Sequence, residues 1–392
     1  MADNHSEEKP DHSRPWEAKA LVRSIKQVLK EFETREATGV KDTLGYTFSR
    51  WPILNQDLSG LRPGTLTLVG SWKGFYRKEF LMEWCSQVTQ FSRRPSLYQS
   101  FEFSARELIL ARIATESNLP YGLVATGKLL GNKRRKEQLQ SGLHNMASYQ
   151  SLLHFSSGLR TADMKGLEEE ISRIGEVFNG SYPTIFVDRL NAMETEKSSN
   201  DEDRLCLLAR QLKFLALKYS VPIVAGVDFN RSPEEIVNGD HYLAEGAYLE
   251  QMTGGSSLLA EADHSFTLTA SEADSQELVR LLTHLAHTEG LTEMAMPYSE
   301  VVILGRNEAE HPQEQGHGTL FLISYDTGMC AEICSLSEQE IIRFSRLEKM
   351  VTSMAEKGVW NFPESQNSVS KSVGEKPAGD DTSKVKVSVK LT

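Results

Sequence analysis

Two short apolar runs constrain the fold most. "TIFVD" and "PIVAGVD" each end on an aspartate, and the long amphipathic segment "DEDRLCLLARQLKFLALKYS" lies between them. Runs this short, apolar throughout and rich in β-branched residues, read as buried strands. The same alternation extends in both directions. "GTLTLVG" and "PSLYQSF" are strand-like, and "SARELILARIATES" is helix-like, with Ser104 as its cap and Glu107 completing a capping box. "HSFTLTA", "EVVILGR" and "GTLFLISYD" close the series as further strands. Strands alternating with helices predict an α/β fold, a mostly parallel sheet with helices on its faces. Ligands on such sheets bind at the carboxyl ends of strands. Here those ends are expected at Gly70, Phe101, Asp188 and Asp228.

Around this core the chain changes character. Residues 1–15 are polar and expected to be disordered, with no signal-peptide pattern. Residues 16–38 carry Ala18, Leu21, Val22, Ile25, Leu29 and Phe32 at helical spacing, a leading amphipathic helix with Lys and Arg on its other face. The α/β core is expected over 39–350, and a Ser- and Lys-rich tail over 363–392 reads as disordered. A net charge of -11 argues against indiscriminate nucleic-acid binding but leaves room for a local basic groove. The basic run "GNKRRKEQL" reads as a solvated helix start. No apolar run reaches the ~18 residues of a membrane helix, so a cytoplasmic protein without a membrane partner is expected. The four cysteines are too widely spaced for paired zinc ligands, and His284, His287, His311 and His317 show no metal-ligand pattern.

The stretch "VGSWKGFYRKEF" follows a predicted strand and precedes a predicted helix, the setting of a phosphate-binding P-loop. Such a loop wraps phosphates with backbone N–H groups at a helix start, reaches the β- and γ-phosphates with a Lys and holds Mg²⁺ with a hydroxyl. Gly70 and Gly74 keep glycine positions. Aligned without a gap, Tyr76 takes the Lys position and Arg77 the hydroxyl position; with one inserted residue these become Arg77 and Lys78. Neither alignment supplies a Ser or Thr. Arg77 or Lys78 is left as the basic residue that would meet a phosphate.

The order of segments resembles the C-terminal RecA-like motor domain of DnaB-type replicative DNA helicases, of helicase superfamily 4. "SFEFSARELILARIATES" is similar to the family's "SLEMS" segment, and "PTIFVDRLNAM" to its "IVIDYLQLM". "LKFLALKYSVPIVAGVDFNRSPE" is similar to the segment that in the family contains "VPVVALSQLNRS". "GGSSLLAEADHSFTL" is similar to the loop and strand that face DNA. The resemblance runs from about Gly45 to Ile333. The leading helix sits where the family has a linker helix that docks on the next subunit, and the family's separate N-terminal helical domain has no counterpart.

The resemblance implies a P-loop NTPase fold and a set of roles. Glu102 falls on the catalytic glutamate that orients the attacking water. Asp188 falls on the Walker B aspartate, the Mg²⁺ partner. Arg306 remains where the family's finger segment has two basic residues. Asp228 replaces the Gln that senses the γ-phosphate, and its charge repels a phosphate. Gly70, Gly74, Arg77, Lys78 and the sensor position Asp228 are the nucleotide-binding candidates. The implied ligands are ATP and Mg²⁺ if the site works; the implied partners are single-stranded DNA, a homo-oligomer such as a hexameric ring joined by the leading helix, and other replication proteins. Leu258 and Leu259 stand where the DNA-facing loop has more polar residues. With the P-loop, sensor and finger all altered, the expected function is a binding or assembly module of DNA replication or processing with weakened or lost hydrolysis. The alternatives are an active ATP-driven helicase or translocase, and a RecA-fold regulator of the KaiC or RadA kind.

Overall fold

The computed structural model describes residues 45–72, 76–128, 131–158, 163–195, 200–229, 253, 255–269, 299–307, 318–324 and 326–336. The described residues all lie in the second of two units, which begins at Gly45. Everything that follows concerns the second; the leading helix, Gly74, the C-terminal tail and the four histidines named above lie outside the described residues.

Among the described residues, nine strands form one sheet. In chain order they are β1 (Leu66–Ser71), β2 (Ser96–Ser100), β3 (Leu153–Ser157), β4 (Thr184–Asp188), β5 (Ile223–Asp228), β6 (His264–Thr269), β7 (Ser299–Asn307), β8 (Gly318–Ser324) and β9 (Cys330–Leu336). Their order across the sheet is β3-β2-β4-β5-β1-β6-β7-β8-β9. The first six run parallel. The last three continue the sheet antiparallel. The mostly parallel α/β architecture is therefore as the alternation predicts.

The α-helices among the described residues are α1 (Pro52–Leu58), α2 (Arg77–Ser92), α3 (Ala105–Glu116), α4 (Tyr121–Thr126), α5 (Lys133–Ala147), α6 (Met164–Val177), α7 (Asp201–Tyr219) and α8 (Gly255–Leu259). The capping box at α3 forms as expected: Ser104 accepts from the Glu107 N–H while the Glu107 carboxylate accepts from Ser104. Strand β3 is only partly buried at the sheet edge, so it lacks the fully apolar run of its neighbours, and α1 has only seven residues, too few for a helical repeat.

Each central strand is buried on both faces, and its parity sorts its side chains. Val69, Phe186 and Val224 join a core with α2, whereas Leu68, Val187 and Ala225 join a second core with α6 and α7. Aromatic rings dominate the first: Trp51 stacks on Phe80 at 4.8 Å, and Phe321 of β8 meets both. Two further contacts tie β9 to α1. The Glu332 carboxylate accepts from the Ile53 and Leu54 N–H groups at 2.8 and 2.9 Å, and the Trp51 indole donates to the Cys330 carbonyl. Beneath α3, the buried Arg112 guanidinium pairs with Glu83 of α2 and with Glu116.

Leu258 and Leu259, expected in a DNA-facing loop, instead form α8. Leu258 is fully buried in the second core, and Leu259 packs against it. Two adjacent leucines beside the apolar face of a long amphipathic helix gain more from burial than from solvent contact. No described helix is long and apolar enough to cross a membrane.

Candidate nucleotide site

The strand order brings the predicted ends together. β2, β4, β5 and β1 are consecutive neighbours, so Glu102, Asp188, Asp228 and Ser71 form a row along one edge of the sheet. Parity aims three of them the same way. Ser71 follows Val69, Asp188 follows Phe186 and Asp228 follows Gly226 and Val224 by steps of two, so all face α2. Register sets Ser71 directly beside Asp228.

Helix α2 opens toward this row. Its cap, Tyr76, has φ +32°, a left-handed conformation that bulky residues rarely adopt, and Arg77 is the first helical residue. The Arg77 side chain turns inward between the strand ends and is 4% exposed. Its Nε donates to Asp188 Oδ1 at 3.2 Å, and Nη1 donates to Asp228 Oδ1 at 2.8 Å, Ser71 Oγ at 3.0 Å and the Val227 carbonyl at 3.3 Å. Gly226 makes room for it: a Cβ there would stand 2.4 Å from Arg77 Cδ and 2.7 Å from Nε. This is a close approach that demands glycine inside a strand.

A second arginine completes the network. Arg189 follows Asp188 with φ +85°, pairs with Glu102, and brings Nε to 3.2 Å from Asp228 Oδ2. The Asp228 N–H in turn donates to Asn191 Oδ1 at 2.7 Å. Two guanidinium groups thus engage three carboxylates. Burial works against the Arg77 charge, but Asp188 and Asp228 outweigh it and hold the guanidinium above its ordinary range. Burial pushes the Asp188 carboxyl up, and Arg77 offsets this only in part. Tyr98 beside Asp188 is pushed well up, first by burial and then by that carboxylate.

The remaining candidates are placed as follows. Lys78 pairs with Glu79 at 2.9 Å and lies 4.3 Å over the Phe103 ring. Gly70 is buried in β1 opposite Val227. Arg306 stands in β7 opposite Phe266 of β6. Arg77, Glu102, Asp188 and Asp228 are therefore brought together; Lys78 is turned to other partners, and Arg306 sits two strands from β1. Sequence reasoning misses Arg189, Ser71 and Gly226. The signal for two of them is position relative to a strand-end aspartate: Arg189 stands immediately after Asp188, and Gly226 two positions before Asp228.

Mg²⁺ with ATP does not fit these residues. A hydrated Mg²⁺ needs accessible oxygen ligands in near-octahedral geometry. The implied ligand, Asp188, is 1% exposed and its Oδ1 is taken by Arg77. Ser71 lies at the strand end, outside the P-loop's hydroxyl position, and accepts from the same guanidinium. No group of three or more metal-ligating side chains occurs among the described residues.

Comparison with known proteins agrees with the fold. The family model "DnaB-like helicase C terminal domain" matches residues 48–243, half of the chain. Replicative DNA helicase DnaB of Haemophilus influenzae is 27% identical over 232 residues, 57% of this chain and 47% of that protein. The Pasteurella multocida protein of the same name is 27% identical over 208 residues, 50% of this chain and 42% of its own. The chain thus spans less than half the length of the curated relatives it matches. Among solved structures, an ATPase domain superposes with a TM-score of 0.61 at 12% identity, covering 79% of this chain and 99% of that one. A DnaB-like replicative helicase, solved in a study of its interactions with primase, gives 0.58 at 12% identity, covering 79% and 67%. The parallel sheet with its row of strand-end carboxylates is a RecA-like core, and the chain belongs to the DnaB-like helicase C-terminal domain family.

Proposed function

We propose that this chain is a helicase-family module of DNA replication or DNA processing that binds and assembles without hydrolysing ATP at this site. One observation carries the reading: the Arg77 guanidinium occupies the space between Asp188 and Asp228. Hydrolysis in such a fold needs a carboxylate for Mg²⁺, a basic residue for the phosphates and a carboxylate for the attacking water. Here the first is bound to Arg77, which is itself buried, the other candidate basic residue, Lys78, is paired with Glu79, and Glu102 is bound to Arg189. Single-stranded DNA, further copies of the chain and other replication proteins are the partners this reading favours.

The second reading, an active ATP-driven helicase or translocase, draws on Glu102 and Asp188 standing at the ends of adjacent strands. It requires both to leave their arginines. Calorimetric titration with ATP and Mg²⁺, with Asp188→Asn as control, separates the two readings. No binding up to millimolar ATP, and no turnover with single-stranded DNA, is expected. Micromolar binding lost in the control, or DNA-stimulated turnover, would overturn the proposal.

A further inference from the structure

We propose that Arg77 is a tethered counter-cation: it does the work of a bound divalent ion between Ser71, Asp188 and Asp228, and its removal uncovers a divalent-cation site. This rests on the reading that the site does not turn over ATP. The acceptors around Nε and Nη1 are all oxygen: two carboxylates, a hydroxyl and the Val227 carbonyl. Such a set suits a hard cation, and one or two carboxylates suffice for Mg²⁺ or Mn²⁺ when waters complete the shell.

A buried ion pair of this depth is costly unless several acceptors converge, and here four do. The sheet is also shaped for the arginine stem, because Gly226 leaves the space that any Cβ would fill. Charge, acceptors and cavity therefore match one another at a single point. The Arg77 guanidinium itself ties the strand ends of β1, β4 and β5 together.

The test uses the full chain as wild type, Arg77→Ala, Arg77→Gln, Arg77→Gln/Asp228→Asn and Gly226→Ala. Thermal midpoints are measured in EDTA and in millimolar Mn²⁺, and bound Mn²⁺ is counted by electron paramagnetic resonance. The wild type is expected to show the same midpoint in both and no stoichiometric Mn²⁺. Arg77→Gln keeps most of the stem packing, so it folds where Arg77→Ala fails. It is expected to melt several degrees lower in EDTA, regain most of that loss in Mn²⁺ and hold about one ion per chain. Adding Asp228→Asn is expected to abolish that uptake. Gly226→Ala is expected to lower the midpoint with every charge unchanged. A wild type that takes up one Mn²⁺, an Arg77→Gln protein indifferent to Mn²⁺, or a Gly226→Ala protein as stable as wild type overturns the inference. ATP turnover by the wild type would instead sink the functional reading, and no Mn²⁺ measurement substitutes for it.

Discussion

Glu332 makes the clasp between β9 and α1 sensitive to pH. Its carboxylate receives two N–H groups from the first turn of α1, which favours the charged form, but burial outweighs them and lifts its pKa from 4.5 to about 7. The folded-state value is the higher one, so the folded protein holds the proton that the unfolded chain releases. Stability from this group is complete below the unfolded value and is lost as pH rises through the folded value. Between about pH 5 and about pH 8 the loss amounts to about 2.5 kcal/mol, since each pH unit between the unfolded and folded values is worth about 1.36 kcal/mol. Glu332 is 1% exposed, so solvent screening does not reduce that figure much. Urea unfolding across this range, on wild type and Glu332→Gln, isolates it. The difference between the two proteins should move by about 2–3 kcal/mol toward the variant as pH rises. A difference constant with pH would refute the argument that burial dominates the two N–H contacts.

Other expectations follow from the same structure. Arg112→Met leaves Glu83 and Glu116 buried with one cation fewer, and should cost about 3–5 kcal/mol by chemical denaturation. Combining it with Glu83→Met should recover much of that loss, and a single variant as stable as wild type would refute the pairing. If copies of the chain assemble through the leading segment, deleting residues 1–38 should move the mass measured by size exclusion with light scattering toward monomer. An unchanged mass would end that idea.

The fold is largely legible because its strands are short, apolar and bounded by helices with helical periodicity. Strands β1, β2, β4 and β5 coincide with such runs, and Asp188 and Asp228 fall at strand ends as expected. Strand β9 is not legible, because "CAEICSL" mixes Glu332 and two cysteines into what would otherwise alternate. The partners of the site residues are not legible either. A carboxylate at position 228 reads as a charge aimed at phosphate until Arg77, 151 positions away in the chain, is seen to neutralise it. Leu258 shows the opposite error: its neighbours read as a surface loop, while α7 supplies an apolar face to cover it. Local pattern predicts elements; it does not predict which distant charges will meet.

The space over Gly226 ties the future of three positions together. If Arg77 is exchanged first, Asp188 loses its buried partner; if Asp228 is exchanged first, the guanidinium loses its nearest acceptor. If Gly226 gains a side chain first, the arginine no longer fits. Each single exchange loses a buried contact, so the three positions are coupled to one another. Among homologues that share it, Arg77, Gly226 and Asp228 should vary as one unit, and that coupling would be visible in sequences alone.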